Sequence, residues 1–251
     1  MPRRNPYAKL DDIFPKVNLP KMQFGKMPQW KVKHFSINDA EAARFNMSQW
    51  QQGLEDRGIV PGKYTSLSYK EGDKWHVMMS DTPAERKEHL DAVLHNLTKP
   101  GMTWIVNGLG IGLLVQALLE QGASQVTVIE NDPGIINSIG SIYRSRYGNR
   151  LIIIYADAYT WKPPKGVKWD AAWHDIWPTI SDENLPKMAK LKRKYARRVK
   201  WQGAWAQQMC RDMRSGKLER QAPGFPAFLL DENMLNHFEK NIRRKATEVW
   251  V

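Results

Sequence analysis

Cysteine is almost missing from these 251 residues: Cys210 stands alone, which excludes an intrachain disulfide and a cysteine-rich zinc site. Long apolar runs are missing too. None approaches the ~20 residues that a membrane span needs, and Met1-Pro-Arg-Arg-Asn-Pro leads into polar, Pro-rich sequence rather than a hydrophobic signal core. A soluble, cytoplasmic protein is the expectation. Negative charge is scarce as well, with 26 Asp and Glu against 38 Lys and Arg, a formal net charge of +12. That imbalance implies attraction to a polyanion and does not say whether it is nucleic acid, an acidic protein or a nucleotide-like ligand. Hydrophobic residues make up 42 % of the chain and charged ones 25 %, enough to bury an ordinary core.

Four stretches differ in character. Residues 1–62 begin with Pro2, Pro6, Pro15, Pro20 and Pro28 among eight bases and only Asp11 and Asp12, which predicts an extended basic arm. A capped helix follows from about Ser36 to Glu55, before the breakers Gly58 and Pro61-Gly62. Residues 63–100 hold two strand-like runs, Tyr64 to Leu67 and Trp75 to Met79, around Lys70-Glu-Gly-Asp73, and so predict a β-hairpin. A helix then starts near Pro83, with Leu90, Val93, Leu94 and Leu97 on one face.

Residues 101–180 alternate apolar runs with helical ones, which predicts an α/β core of Rossmann-like type, a mostly parallel sheet with helices on both faces. Residues 181–251 form a basic helical extension. Between 187 and 220 there are twelve bases and two acids, while Trp201, Trp205, Met209 and Met213 recur every four residues. That spacing predicts one or two helices with an apolar stripe and a solvated basic face, and the alternative is a surface that stacks and neutralises nucleic acid. A last amphipathic helix and a short strand are expected over 227–251.

The chemistry concentrates at strand ends. Trp104-Ile-Val-Asn107-Gly108-Leu109-Gly110-Ile-Gly112 runs a strand into three alternate glycines and then a helix, where a ligand can approach the backbone and free N–H groups. G-x-G-x-G is not the dinucleotide fingerprint G-x-G-x-x-G, and favours adenosylmethionine over NAD. Glu130 ends the next strand twenty residues beyond Gly110, the position from which an acid accepts ribose hydroxyls, and Asn131 follows it in the turn. Asp157, followed by Ala158, ends the third strand, and Asp175 in Trp173-His174-Asp175-Ile-Trp177-Pro178 ends the fourth.

From Tyr64 to Pro178 these residues resemble the class I methyltransferase superfamily, and within it the spermidine synthase branch, whose small N-terminal β unit and following helix resemble the hairpin and Ser80-Asp-Thr-Pro-Ala-Glu85. The resemblance implies S-adenosyl-L-methionine as cofactor. It has Gly108 to Gly112 wrap the methionine part, Glu130 bind the ribose, Asp157 and Ala158 contact the adenine, and Asp175 sit beside the reacting sulfonium. The chain departs from polyamine synthases in its glycine loop and in placing Trp177 and Pro178 where a second aspartate would stand. This counts against aminopropyl transfer and favours methyl transfer to a small or macromolecular acceptor. A non-catalytic cofactor- or nucleic-acid-binding protein is the other alternative. His174 and Asp175 are the candidate catalytic pair, base and positioning acid, with Trp173 and Trp177 as an aromatic wall. Strand neighbours point oppositely, so His174 can equally be a residue facing the flanking helices. No cluster of metal ligands is visible in the sequence.

Overall fold

The structure is a computed structural model that describes residues 8–27, 29–51 and 58–218. Four apolar runs and a fifth, more polar one lie side by side as a wholly parallel sheet: β5 (Thr103–Asn107), β6 (Gln125–Glu130), β7 (Leu151–Tyr155), β8 (Ala171–His174) and β9 (Trp201–Ala204), in the order β7-β6-β5-β8-β9. Strands covered on both faces have no polar side to show, and β5, β6 and β8 are buried along nearly their whole length. Connecting helices are α5 (Leu113–Glu120), α6 (Pro133–Ile135) running through a π turn (Ile136–Gly140) into α7 (Ser141–Tyr147), α8 (Asn184–Tyr195) and α9 (Gln207–Arg214). The chain builds outward from β5 to β7, then crosses back to lay β8 and β9 on the other side of β5. Such a reversal opens a crevice at the carboxyl ends of the central strands, here β5 and β8. This is the Rossmann-like α/β core expected from the sequence.

Ahead of it lie α1 (Ala8–Ile13), β1 (Met22–Phe24), β2 (Trp30–Ile37), α2 (Asp39–Gln51), β3 (Gly62–Glu71), β4 (Lys74–Ser80), α3 (Pro83–Glu88) and α4 (Leu90–Leu97). The predicted hairpin is β3–β4, closed by Gly72-Asp73, and β1 and β2 extend it to a four-stranded antiparallel sheet. Reciprocal bonds cap α2: Glu41 N–H donates to Asn38 Oδ1 and Asn38 N–H to Glu41 Oε2.

Three expectations change. The segment from Leu10 to Leu19 is not a solvated arm, because Leu10, Phe14, Val17 and Leu19 enter the main core. The N–H groups of Val17 and Thr65 bond Asp81, and Arg86 pairs with Asp11 at 2.6 Å. A composition dominated by Lys and Pro hid those four apolar residues. On α4 the buried side is Ala92, Val93 and Asn96, while Leu94 and Leu97 stay exposed. Asn96 turns inward because it accepts from Trp104 Nε1 at 2.8 Å and donates to the carbonyls of Leu118 and Gln121. The Trp201–Met213 period is not one helical stripe: Trp201 opens β9, Trp205 sits in the turn after it, and only Met209 and Met213 belong to a helix. Of the basic segment, α8 is helical, with Lys187, Lys190 and Arg193 exposed. The helix and strand expected over 227–251 lie outside the described residues, as do the last residues of the helix expected to reach Glu55. No helix among the described residues is long and apolar enough to cross a membrane.

Candidate functional site

A cavity of about 320 Å³ opens where β5, β6, β7 and β8 end, within the size range of small-molecule sites. Gly108 sets its floor. Its φ is +98°, and a Cβ there would overlap the carbonyl oxygen of Asp175, so only glycine lets the loop after β5 pass the end of β8. Gly110, φ +52°, likewise faces the Met79 sulfur, which accepts the Ile111 N–H at 3.2 Å. Gly108 and Gly110 line the cavity. Gly112 instead caps α5 against Tyr143, and Leu109 is a core side chain whose N–H alone faces Glu130.

Glu130 lines the cavity and also builds it. Oε2 accepts the Leu109 N–H (2.8 Å) and Oε1 accepts those of Asn131 and Asp132 (2.8 and 2.9 Å). A carboxylate has about four acceptor positions, so one remains, on Oε2, for a ligand hydroxyl. Burial pushes its pKa up while those three N–H groups oppose the rise. Asp157 is exposed at the rim, where Oδ1 accepts from the N–H groups of Tyr159 and Thr160, and the Thr160 bond is the main reason its pKa is lowered. Asn131 and Ala158 also line the cavity, and the Ala158 carbonyl accepts from Lys194 Nζ at 2.6 Å.

His174 and Asn107 do not line it. Both are fully buried: Asn107 Nδ2 donates to His174 Nδ1 (2.7 Å), Tyr195 OH donates to Asn107 Oδ1 (3.2 Å), and His174 Nε2 faces Gln202 Oε1 (3.2 Å). Strand alternation separates His174 from Asp175, and burial holds the imidazole neutral with a pKa near 4. His174 is thus a satisfied interior residue rather than a base at the cavity. Of the predicted aromatic wall, Trp177 lines the cavity and donates to Tyr159 OH (3.1 Å), whereas Trp173 packs behind it against His89 and Trp201.

Asp175 stands on the wall with 23 % of its side chain exposed. Burial raises its pKa to about 7, reinforced by the negative charges of Glu130 and Glu88. Beside it are residues that sequence reasoning passed over: Glu85 on the cavity wall, and His89 behind it, held neutral by burial with a pKa near 3. Their four-residue spacing within Glu85-Arg-Lys-Glu-His89 was the available signal, since it puts both on one helical face. The antiparallel sheet roofs the cavity with Trp30, Leu67, Met78 and Met79, and Trp30 Nε1 ties it to Asp132 Oδ2 at 2.9 Å. Strand β2 read as part of a basic arm, which hid Trp30. Five carboxyls line the cavity, from Glu85, Glu130, Asp132, Asp157 and Asp175, with no Lys or Arg among the described lining residues.

No protein-family profile matches the chain, and no curated protein matches it in sequence. Among solved structures, it is similar to a Thermoplasma acidophilum protein (18 % identity, TM-score 0.36, 51 % of this chain and 65 % of that one). It is also similar to an S-adenosylmethionine-dependent methyltransferase from Mesorhizobium loti (17 %, 0.34, 45 % and 48 %) and to the 23S rRNA methyltransferase ErmE (21 %, 0.38, 53 % and 52 %). Each match spans less than two thirds of the other protein and about half of this one.

Proposed function

We propose that the chain is an S-adenosyl-L-methionine-dependent methyltransferase. The observation that carries the reading is the cavity itself: it sits at the strand-order reversal, has a glycine floor that no Cβ could share, and is walled by carboxyls, with no Lys or Arg among the described lining residues. A nucleoside bearing a sulfonium suits that chemistry, whereas the phosphates of a dinucleotide would face like charge. When bound, the cofactor supplies an electrophilic methyl group. The glycine loop would lie along its amino-acid part, the remaining acceptor of Glu130 would take a ribose hydroxyl, Asp157 and Ala158 would border the adenine, and Asp175 would face the sulfonium. Trp177 closes the same wall and keeps water from the reacting centre.

Exposed Lys187, Lys190 and Arg193 on α8 form the face where a polyanionic acceptor would bind, with Lys190 Nζ 5.2 Å from the Tyr159 ring at the cavity. Nucleic-acid affinity that falls steeply with salt would support that partner. The spermidine synthase likeness rests on the hairpin, α3 and Asp175, and a putrescine assay with decarboxylated cofactor is expected to show no turnover.

The deciding experiment is calorimetric titration with S-adenosylmethionine and S-adenosylhomocysteine, repeated on Glu130→Ala with circular dichroism as a check on folding. Micromolar binding that the variant loses is the expected result, and absence of binding by either nucleoside overturns the reading.

A further inference from the structure

Two of the cavity's carboxyls converge on one buried imidazole. His89 Nε2 lies 3.6 Å from Asp175 Oδ2 and 3.9 Å from Glu85 Oε1, with the His89 side chain 1 % exposed. Neither of its ring nitrogens has a hydrogen-bond partner. Interiors keep few such groups because each loses its hydration without replacement. An imidazole aimed at two acids on a cavity wall makes sense if the cavity's contents complete it.

Asp175 differs from its neighbours. Glu130, Asp132 and Asp157 all accept backbone N–H groups, whereas Asp175 accepts none among the described residues. The groups that face this corner are Glu85 and Glu88 from α3, Glu130 from β6 and the Trp173 ring, while Arg86 is turned to Asp11. Crowded carboxyls in a partly dry site cannot all ionise, so a proton stays until a positive charge replaces it.

We propose that Glu85, His89 and Asp175 form a charge-sensing subsite that keeps a proton while the cavity is empty or holds a neutral group, and releases it to solvent when a cationic centre enters. One proton leaves as one positive charge arrives, and no covalent bond changes. His89 is the positioning residue, its Nε2–H donating to the newly ionised Asp175. The inference rests on the cofactor reading for its ligand: the sulfonium of S-adenosylmethionine is the cation, and the thioether of S-adenosylhomocysteine is its neutral counterpart.

The first arm of the test needs no ligand. Infrared difference spectra of the free protein, wild type minus Asp175→Asn, are expected to show a protonated carboxyl that titrates near neutrality. Titration in the ordinary carboxylate range overturns the proposal. In the second arm, calorimetry between pH 6 and 8 is expected to show the affinity for S-adenosylmethionine over S-adenosylhomocysteine rising by up to about tenfold per pH unit. Buffers of different ionisation enthalpy should report a proton released with the first ligand and none with the second.

His89→Phe removes the donor and is expected to move the midpoint up by about one pH unit, and His89→Gln keeps an N–H and restores the midpoint. A flat affinity ratio, or an unmoved midpoint in His89→Phe, overturns the proposal. If neither nucleoside binds while the infrared titration is present, the cofactor reading falls and the proton-holding pair stands.

Discussion

In the parallel sheet, β5 and β8 bury almost every residue, whereas β2 of the antiparallel sheet alternates between buried, half-buried and exposed positions and holds Lys31 beside Val32. The first sheet sits between helices and depends on close packing. The second has one face on the cavity and depends on a few polar ties, such as Trp30 to Asp132. A change in the first should therefore be felt as lost stability, and a change in the second as a looser roof.

The largest effect should come from Trp104→Ala. It empties a fully buried site on β5 and orphans Asn96, and about 3–5 kcal/mol of lost stability in denaturant titration is expected. Gly108→Ala follows, at about 3 kcal/mol, because its Cβ has nowhere to go. Gly122→Ala has a similar φ of +93° with open space around it, and should lose only about 1 kcal/mol. If the two alanines cost the same, backbone conformation rather than the approach of β5 to β8 governs the loop.

Asp175→Asn sharpens the contrast through pH. Burial pushes the folded carboxyl up to about 7, well above the ordinary aspartate range, so its contribution is present in acid and is lost as pH rises from about 4 through about 7. Relative to wild type the variant should gain stability along that rise, by about 2–4 kcal/mol at pH 8, and match it at pH 4, as thermal unfolding across pH would show. The smallest effect belongs to the roof. Trp30→Phe keeps an aromatic ring, though a smaller one, and loses one hydrogen bond, so stability should fall by about 1 kcal/mol, while hydrogen exchange in β1 and β2 rises more than in β5.

The same contrast governs what the sequence made legible. Strands β5, β6 and β8 announced themselves because burial on both faces demands continuous apolar runs, β7 because its edge run Leu151-Ile-Ile-Ile is apolar although Ile152 is exposed, and the glycine loop because a strand-to-helix turn pressed against the end of β8 tolerates little else. Strands β1 and β2 did not, since exposed Gln23, His34 and Ser36 and the buried Lys31 interrupt the pattern. Strand β9 was misread because Trp201, Trp205 and Met209 match a helical period while the chain passes through strand, turn and helix.

At the site, the acids at strand ends could be read because topology brings carboxyl ends together. Which way His174 points depends on a network with Asn107, Tyr195 and Gln202 that is assembled from three distant stretches. Glu85 and His89 escaped notice because their meaning depends on Asp175, about ninety residues away in sequence.

The opposition between a chain of net charge +12 and a cavity walled by five carboxyls has a kinetic side. A small cation approaching from bulk water first meets a repulsive field and feels attraction only inside the mouth. Added salt screens the outer field over its long range and the inner contacts much less, so it should speed entry of a cationic ligand while slowing the proposed capture of polyanions at α8. One molecule would then answer ionic strength with opposite signs at its two surfaces.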